Sequence, residues 1–239
     1  MATRLCESAR EAVADVRDGD TLLVHSFGPP QAWPTDLLMA LHEAGPKDLT
    51  VVCNSTAAGP TSVQILAEKR QVRKLVCTFA VLPVGPTPFS EQIRKGEVEL
   101  ELTPQGTMVE RVRAGGAGLA GFYTPVGVGT VVEEGKEVRE FDGELYVMER
   151  GLTCDLSIIK AWKGDEEGNL VYRLTARNFN PMMATAGRTT VVEVEEIVEV
   201  GALDPDHIHT PSIFVHRIFQ GASYEKRIER RTTRPASAN

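Results

Sequence analysis

The sequence predicts an α/β fold in which a mostly parallel sheet is covered by helices on both faces. Short apolar runs typical of buried strands alternate with segments of helical periodicity along residues 6–103. Parallel neighbours need crossover connections, and helices between successive strands supply them. The length of 239 residues, with a hydrophobic fraction of 42%, suits one large domain of this kind.

The predicted elements follow one another at short intervals. In chain order they are helix 6–16, strand 21–27, helix 35–45, strand 48–55, helix 61–72, strand 73–79, helix 90–98 and strand 98–103. Thr35 is the predicted N-cap of the second helix, and Gly45 stands where that helix stops. Further along, residues 137–149 alternate around Asp142–Gly143, a pair that favours a tight hairpin turn. Residues 154–162 and 189–200 are further strand candidates.

We assign residues 1–222 to the α/β domain and residues 223–239 to a basic, polar C-terminal tail. The tail carries five Lys or Arg residues against two Glu. A run of this kind is usually solvated, so we favour a solvated tail over an arm that docks a partner.

Composition and charge exclude several classes of protein. The net charge of -7, a pI near 5.4 and 6% aromatic residues argue against a nucleic-acid surface. The four cysteines are scattered without ligand spacing, which favours reduced thiols in a cytoplasmic protein over a metal site. The N-terminus lacks the apolar core of a signal peptide, and no segment has the length of a membrane span.

The residues after each predicted strand are the first candidates for a functional site, because ligands bind beyond the carboxyl ends of parallel strands. They are residues 25–28, 54–55, 80–81 and 103–106. Gln105 stands in the last of these, between a proline and a glycine, with no nucleophile or base beside it. It either closes a turn or serves chemistry whose reactive group lies elsewhere.

Other signals are weaker. The glycine-rich segments 115–118 and 124–130 fit neither a P-loop nor a dinucleotide fingerprint, which leaves tight packing and ligand contact equally open. His25 ends a strand in the expected pocket zone, yet a structural histidine is the more common case. His207 and His209 lack a third ligand nearby, and His216 fits a structural role, so no metal site is predicted.

The carboxylates near residue 195 give no catalytic signal. They fall along one strand-like run, so we interpret them as its solvent face: Glu193, Glu195, Glu196 and Glu199. No G-x-S-x-G elbow is present, which removes the commonest serine hydrolase.

The runs 99–130, 138–180 and 189–218 closely resemble the A subunits of the 3-oxoacid CoA-transferase family, and the resemblance spans roughly residues 10–232. It implies a CoA-transferase-like fold and a partner B subunit, in a heterodimer or heterotetramer. In that family the B subunit's glutamate attacks the acyl-CoA thioester and carries CoA as a glutamyl thioester to an acceptor acid. The resemblance implies no cofactor beyond the coenzyme A thioester, which is a substrate.

The resemblance also implies roles for single residues. Gln105 matches the amide of the T-P-Q-G motif, which helps to form the oxyanion hole. Phe27 and Gly28 match the glycine-rich turn after the first strand, and Asn54 matches the second of two adjacent asparagines. These residues would face the acyl group. Arg177 matches a segment near the cleft, where a structural ion pair is an equal alternative.

Departures from the family pattern are concentrated at strand ends. His25–Ser26 replaces Gly-Gly, Ala32–Pro34 replaces Gly-x-Pro, Cys53 replaces the first asparagine, and residues 80–88 are less polar. They imply an altered acyl pocket, suited to a bulkier or less polar acid, and make His25 a candidate substrate-binding residue. Two alternatives remain: an acyl-CoA hydrolase in which His25 positions the water, and a non-catalytic subunit that binds a small anion.

Overall fold

The structure, a computed structural model, describes residues 3–28, 32–57, 61–80 and 85–222. The predicted tail over 223–239 lies outside the described residues. The strands are β1 (Arg4–Cys6), β2 (Thr21–Val24), β3 (Leu49–Ser55), β4 (Val72–Phe79), β5 (Glu99–Leu102), β6 (Gly121–Thr124), β7 (Val138–Phe141), β8 (Glu144–Arg150), β9 (Cys154–Asp165), β10 (Leu170–Val171), β11 (Gly187–Val198) and β12 (Arg217–Gln220). The α-helices are α1 (Ala9–Ala12), α2 (Thr35–Ala44), α3 (Gln64–Glu68), α4 (Pro88–Arg94), α5 (Gln105–Gly116) and α6 (Asn180–Ala186).

The main sheet has the strand order β1-β12-β11-β9-β2-β3-β4-β5, with the short β10 antiparallel to β9. All other neighbours in this sheet are parallel. From β2 the chain proceeds outward through β3, β4 and β5, and from β9 it proceeds in the opposite direction through β11 and β12. The strand order therefore reverses between β2 and β9, the position at which sheets of this kind bind ligands.

Helices cover both faces of this sheet, which confirms the predicted fold class. In one apolar cluster, the four helices α1, α2, α3 and α4 pack against the sheet through residues such as Leu37, Leu66 and Phe89. We call this side of the sheet the back face. A second cluster joins α5 and α6 to the sheet, through Met108 and Met183 among others; we call this side the front face.

A second sheet of three antiparallel strands, in the order β6-β8-β7, stands beside α5. Its hairpin turns at Asp142 (φ 52°) and Gly143 (φ 83°), as the sequence predicts. Glu149 of β8 is 2% exposed and accepts a 2.6 Å hydrogen bond from Lys136, while the Arg111 guanidinium of α5 lies 3.9 Å away. This buried carboxylate ties the small sheet to α5.

The glycine-rich segment 115–118 serves packing. A Cβ at Gly115 would lie 2.1 Å from the carbonyl oxygen of Leu152, and one at Gly116 would lie 2.0 Å from Oγ1 of Thr185. Both glycines belong to α5, a helix that the sequence patterns did not predict. The close approach of the Leu152 backbone and of the Thr185 side chain explains why residues of low helix propensity stand there.

Several predicted boundaries shift. The first helix is reduced to Ala9–Ala12 because Arg4–Cys6 pairs with β12. The predicted helix 61–72 is reduced to Gln64–Glu68, since the chain turns at Arg70 with φ 53°. Thr35 is not an N-cap: it is the first residue of α2, and Pro34 holds the cap position without a side-chain hydrogen bond.

The carboxylates of β11 do not all face solvent. Glu193 is fully buried, which corrects the predicted solvent face, whereas Glu196 and Glu199 are exposed as predicted. The alternation of residues along β11 did not predict the burial of Glu193, because the strand lies between β12 and β9 and helices cover both faces of the sheet. The four cysteines are buried free thiols, and no helix among the described residues has the length and apolarity to cross a membrane.

Candidate functional site

The candidate site lies where β2 and β3 end, next to the reversal of strand order. Val24 of β2 is in register with Cys53 of β3, so the residues that follow, His25 and Asn54, are neighbours. Their side chains alternate with those of Val24 and Cys53, which pack on the back face, and therefore point to the front face. The backbone N–H of Ser55 donates to Oγ of Ser26 at 3.2 Å and joins the two strand ends.

The amide of Gln105 reaches the end of β3. Its Nε2 donates a 2.8 Å hydrogen bond to Oδ1 of Asn54, which is 2% exposed. This bond orients both side chains and leaves the second N–H of Gln105 and the Nδ2 group of Asn54 without a hydrogen bond among the described residues. The arrangement therefore presents amide donors together at one strand end, as an oxyanion site requires.

Gln105 is also the first residue of α5, rather than part of a simple turn. Pro104 in the cap position makes no side-chain hydrogen bond, and the first turn contains no acidic residue. The first N–H groups of a helix carry a partial positive charge, which favours an anion nearby. The amide pair thus stands at the positive end of a twelve-residue helix.

His25 lies behind this site and has no exposed surface. Its Nδ1 lies 2.9 Å from the carbonyl oxygen of Ala32, and its Nε2 contacts Oδ1 of Asn178. Burial lowers the pKa of His25 to about 4, against the opposing influence of these two contacts. His25 therefore holds two chain segments together as a neutral ring at neutral pH.

Phe27 and Gly28 form the wall in front of His25. The ring of Phe27 stacks on that of Phe179, with centroids 4.9 Å apart and planes inclined by 15°. Nδ2 of Asn178 donates to the carbonyl oxygen of Phe27 at 3.4 Å and lies 3.7 Å from the position that a Cβ on Gly28 would take. Gly28 has φ +86°, a conformation that also favours glycine.

Arg177 ends a short 3₁₀ turn, Leu174–Arg177, immediately before Asn178. Its side chain is exposed and forms no ion pair within the described part of the chain. The structural ion pair that was the alternative for Arg177 is therefore absent there. In sequence, Arg177 directly precedes Asn178 and Phe179, which belong to the wall.

The other histidines have structural contacts. Nδ1 of His209 accepts from the backbone N–H of Tyr172 at 2.9 Å, and Nδ1 of His216 accepts from that of Thr190 at 3.0 Å. His207 is exposed and contacts Asp204. Across the residues that the structure describes, no group of three His, Cys, Asp or Glu side chains is arranged to hold a metal ion.

The structure thus brings five of the six candidate site residues to adjoining strand ends: His25, Phe27, Gly28, Asn54 and Gln105. Phe179 was not among the candidates, because no periodic pattern surrounds it and its position depends on the contact with Phe27. No carboxylate among the described residues contacts Gln105 or Asn54. The described residues thus supply donors for an anion and a partly apolar wall, without a carboxylate in contact with the donors.

Known proteins resemble this chain over nearly its full length. A family model described as coenzyme A transferase matches residues 6–221. The A subunit of the probable succinyl-CoA:3-ketoacid coenzyme A transferase of Bacillus subtilis is 49% identical, over 98% of this chain and 97% of its own length. The A subunit of the succinyl-CoA:3-ketoacid coenzyme A transferase of Helicobacter pylori strain J99 is 48% identical, over 95% of this chain and 96% of its own length.

Among solved structures, the acyl-CoA transferase YdiF of Escherichia coli O157:H7, in a thioester complex with CoA, matches with a TM-score of 0.79. The match covers 92% of this chain and 47% of that chain, at 21% identity. Likeness at this identity concerns the fold alone, and this chain spans about half the length of that transferase.

Proposed function

Because the chain belongs to the coenzyme A transferase family, we propose that it is the A subunit of a heteromeric enzyme that moves CoA between an acyl-CoA and a carboxylic acid. The names of its relatives support a 3-oxo acid as one substrate. The partner is a B subunit, in a heterodimer or heterotetramer, and the location is cytoplasmic.

The hydrogen bond between Gln105 and Asn54 carries this proposal. It places uncharged donors at the carboxyl edge of the sheet, beside the N-terminus of α5, where no carboxylate of the described chain contacts them. Donors without a contacting carboxylate among the described residues suit a site completed by another chain. The nucleophile is then the glutamate of the B subunit that the family resemblance implies.

In this mechanism the partner's glutamate attacks the thioester carbonyl of the acyl-CoA. Negative charge develops on the carbonyl oxygen, where the free N–H of Gln105 and the Nδ2 group of Asn54 donate to it. The C–S bond then breaks, and CoA leaves as a thiolate with an acyl-glutamyl anhydride remaining. The thiolate attacks the glutamyl carbonyl, which releases the first acid and leaves the glutamyl-CoA thioester. The acceptor carboxylate repeats these steps in reverse order.

The remaining candidate residues have distinct parts in this scheme. Phe27 and Gly28 line the acyl pocket together with Phe179. His25 is buried, so it contributes to substrate binding by holding Asn178 behind that wall. Arg177 supplies an exposed guanidinium, a group suited to a carboxylate, one residue from the wall.

The test uses the complex of this chain with its B-type partner. Treatment with succinyl-CoA followed by borohydride reduction should trap a modified glutamate on the partner chain. Gln105→Ala should lower kcat by about 100-fold to 1000-fold, the loss typical of one oxyanion donor. Gln220→Ala, at the exposed end of β12, is the control and should leave kcat unchanged. A complex that transfers CoA with no trapped species on either chain would overturn the mechanism.

The hydrolase alternative predicts a different product balance. In it His25 is the candidate to position the water, yet both nitrogens of His25 already contact Ala32 and Asn178, and the ring has no exposed surface. Assays without acceptor acid decide between the two activities, since a hydrolase accumulates free CoA and a transferase does not.

A further inference from the structure

Helix α2 lacks a cap from its own sequence. Pro34 occupies the cap position and cannot accept a hydrogen bond through its side chain. Because the first N–H groups of a helix have no partner within it, they need an acceptor from elsewhere. Glu193 of β11 supplies one: its Oε2 accepts from the backbone N–H of Asp36 at 2.9 Å and from that of Leu37 at 3.2 Å.

The Glu193 carboxylate is fully buried on the back face and lies opposite a buried lysine. Lys160 of β9, which is 4% exposed, has its Nζ 3.9 Å from Oε1 of Glu193. A buried carboxylate with a nearby cation at a helix N-terminus is electrostatically favourable. Loss of one member of a buried pair is costly because the other charge remains in a poorly solvated place.

The end of β2 and the start of α2 are therefore held by two contacts. His25 contacts the carbonyl oxygen of Ala32, and Glu193 binds the amides at the start of α2. Phe27 and Gly28, the proposed acyl wall, follow His25 in sequence, and Trp33, which is 4% exposed, lies next to Ala32 just before α2. A shift at the start of α2 would thus reach the wall through the contact between Ala32 and His25.

Lys160, the partner of Glu193, is also linked to the chain around Phe179, on the other side of the aromatic pair. Its backbone N–H donates to Oδ1 of Asn180 at 3.1 Å, and Nδ2 of Asn180 donates to the carbonyl oxygen of Ala176 at 2.7 Å. Asn180 follows Phe179, which stacks on Phe27. Both sides of the aromatic pair are consequently tied to the buried positions 160 and 193.

We propose that Glu193 is a positioning residue of the acyl pocket, acting on Phe27 and Gly28 through the N-terminus of α2 and the contact of Ala32 with His25. It does not touch the substrate itself. The proposal rests on the proposed function for its kinetic consequence, whereas its structural part concerns this chain alone.

Glu193→Gln is the test variant because it keeps an acceptor oxygen and removes the charge. Glu196→Gln is the matched control, since Glu196 is on the same strand, is half exposed and pairs with Lys163 at 2.8 Å. Lys160→Met combined with Glu193→Gln removes both charges and keeps the complex testable if the single variant unfolds. All variants are studied as the complex with the B-type partner.

Three measurements follow the proposed chain of effects. Hydrogen exchange measures how fast the backbone amides of Asp36 and Leu37 exchange with solvent. The emission wavelength of Trp33, in a Trp162→Phe background, reports the exposure of Trp33 to water. Equilibrium binding of succinyl-CoA and steady-state kinetics report the pocket.

In Glu193→Gln we expect faster exchange of both amides, a red shift of Trp33 emission, and Kd and KM raised by about tenfold, the factor that loss of the charge at a partly buried helix N-terminus would give. The expected change in kcat is smaller than that in KM. The double variant should restore part of the stability but not the affinity, because it lacks the charge at the helix.

A purely structural role would lower Tm and leave Kd and KM at their original values, and that result would overturn the proposal. Behaviour equal to that of Glu196→Gln would do so as well. A wild-type complex that binds succinyl-CoA without transferring CoA would contradict the proposed function instead, and Kd would still decide the role of Glu193.

Discussion

The rings of Phe27 and Phe179 stack with centroids 4.9 Å apart, and so bring the end of β2 against the start of α6. We expect Phe179→Leu to raise KM for the acyl-CoA by about threefold to tenfold, since such aromatic pairs contribute about 0.5–1.5 kcal/mol beyond their buried area. Steady-state kinetics of the complex measure this change. Phe141→Leu, in an exposed aromatic cluster of the small sheet, is the control, and an equal change there would contradict the assignment.

Asn54 and Gln105 should behave as one unit in kinetics because they share a hydrogen bond. We expect Asn54→Ala and Gln105→Ala each to lower kcat, and the double variant to lose less than the product of the two single effects. A double-mutant cycle on kcat, measured at saturating acyl-CoA, gives the coupling. Fully multiplicative losses would show that the two amides act independently.

Protonation of His25 should destabilise the fold in mildly acidic solution. Burial lowers its pKa in the folded state to about 4, from the ordinary value of 6.5, so between these values the unfolded chain binds the additional proton. Stability from this group is complete above pH 6.5 and falls as the pH decreases toward 4. The loss reaches about 3 kcal/mol for a shift of this size.

Urea unfolding at a series of pH values measures this contribution, with His25→Gln compared with the original chain. The variant should lose that part of the pH dependence. The pKa values of His209 and His216 are also lowered, chiefly by burial, and both residues remain in the variant, so the difference isolates His25.

Two glycines of α5 should respond to alanine with opposite signs. Gly115→Ala would place its Cβ 2.1 Å from the backbone oxygen of Leu152, and such overpacking costs about 1–3 kcal/mol. At Gly106 none of the described residues lies within 4 Å of the added Cβ, so alanine should stabilise the helix by up to about 1 kcal/mol. Equilibrium unfolding compares them, and equal effects would contradict the packing explanation.

Local patterns were sufficient to predict the central strands β2 to β5 and the hairpin at Asp142–Gly143. They failed for α5, because its glycines are explained only by contacts with Leu152 and Thr185 that lie far away in sequence. They failed also for Glu193, since a two-residue period distinguishes the faces of a strand but does not reveal that both faces are covered.

The candidate site, too, was predictable only where it follows from positions along the chain. The rule that ligands bind at strand ends selected Asn54 and Gln105, and the family resemblance gave them a role. Their mutual hydrogen bond depends on the position of α5 over the front face, and the pairing of Phe27 with Phe179 depends on the tertiary contact between β2 and α6. Neither distance follows from a pattern along the chain.

The burial of all four thiols makes the native protein a poor target for alkylating reagents. Burial raises the pKa of Cys77 and of Cys154 to about 12, and raises that of Cys6 and Cys53 as well, so little reactive thiolate is present at neutral pH. Cys53 and Cys77 belong to the back-face cluster and Cys154 to the front-face cluster. The rates at which an alkylating reagent labels these native cysteines therefore measure, separately for the two clusters, how often each opens to solvent. No cysteine needs to be introduced for this measurement.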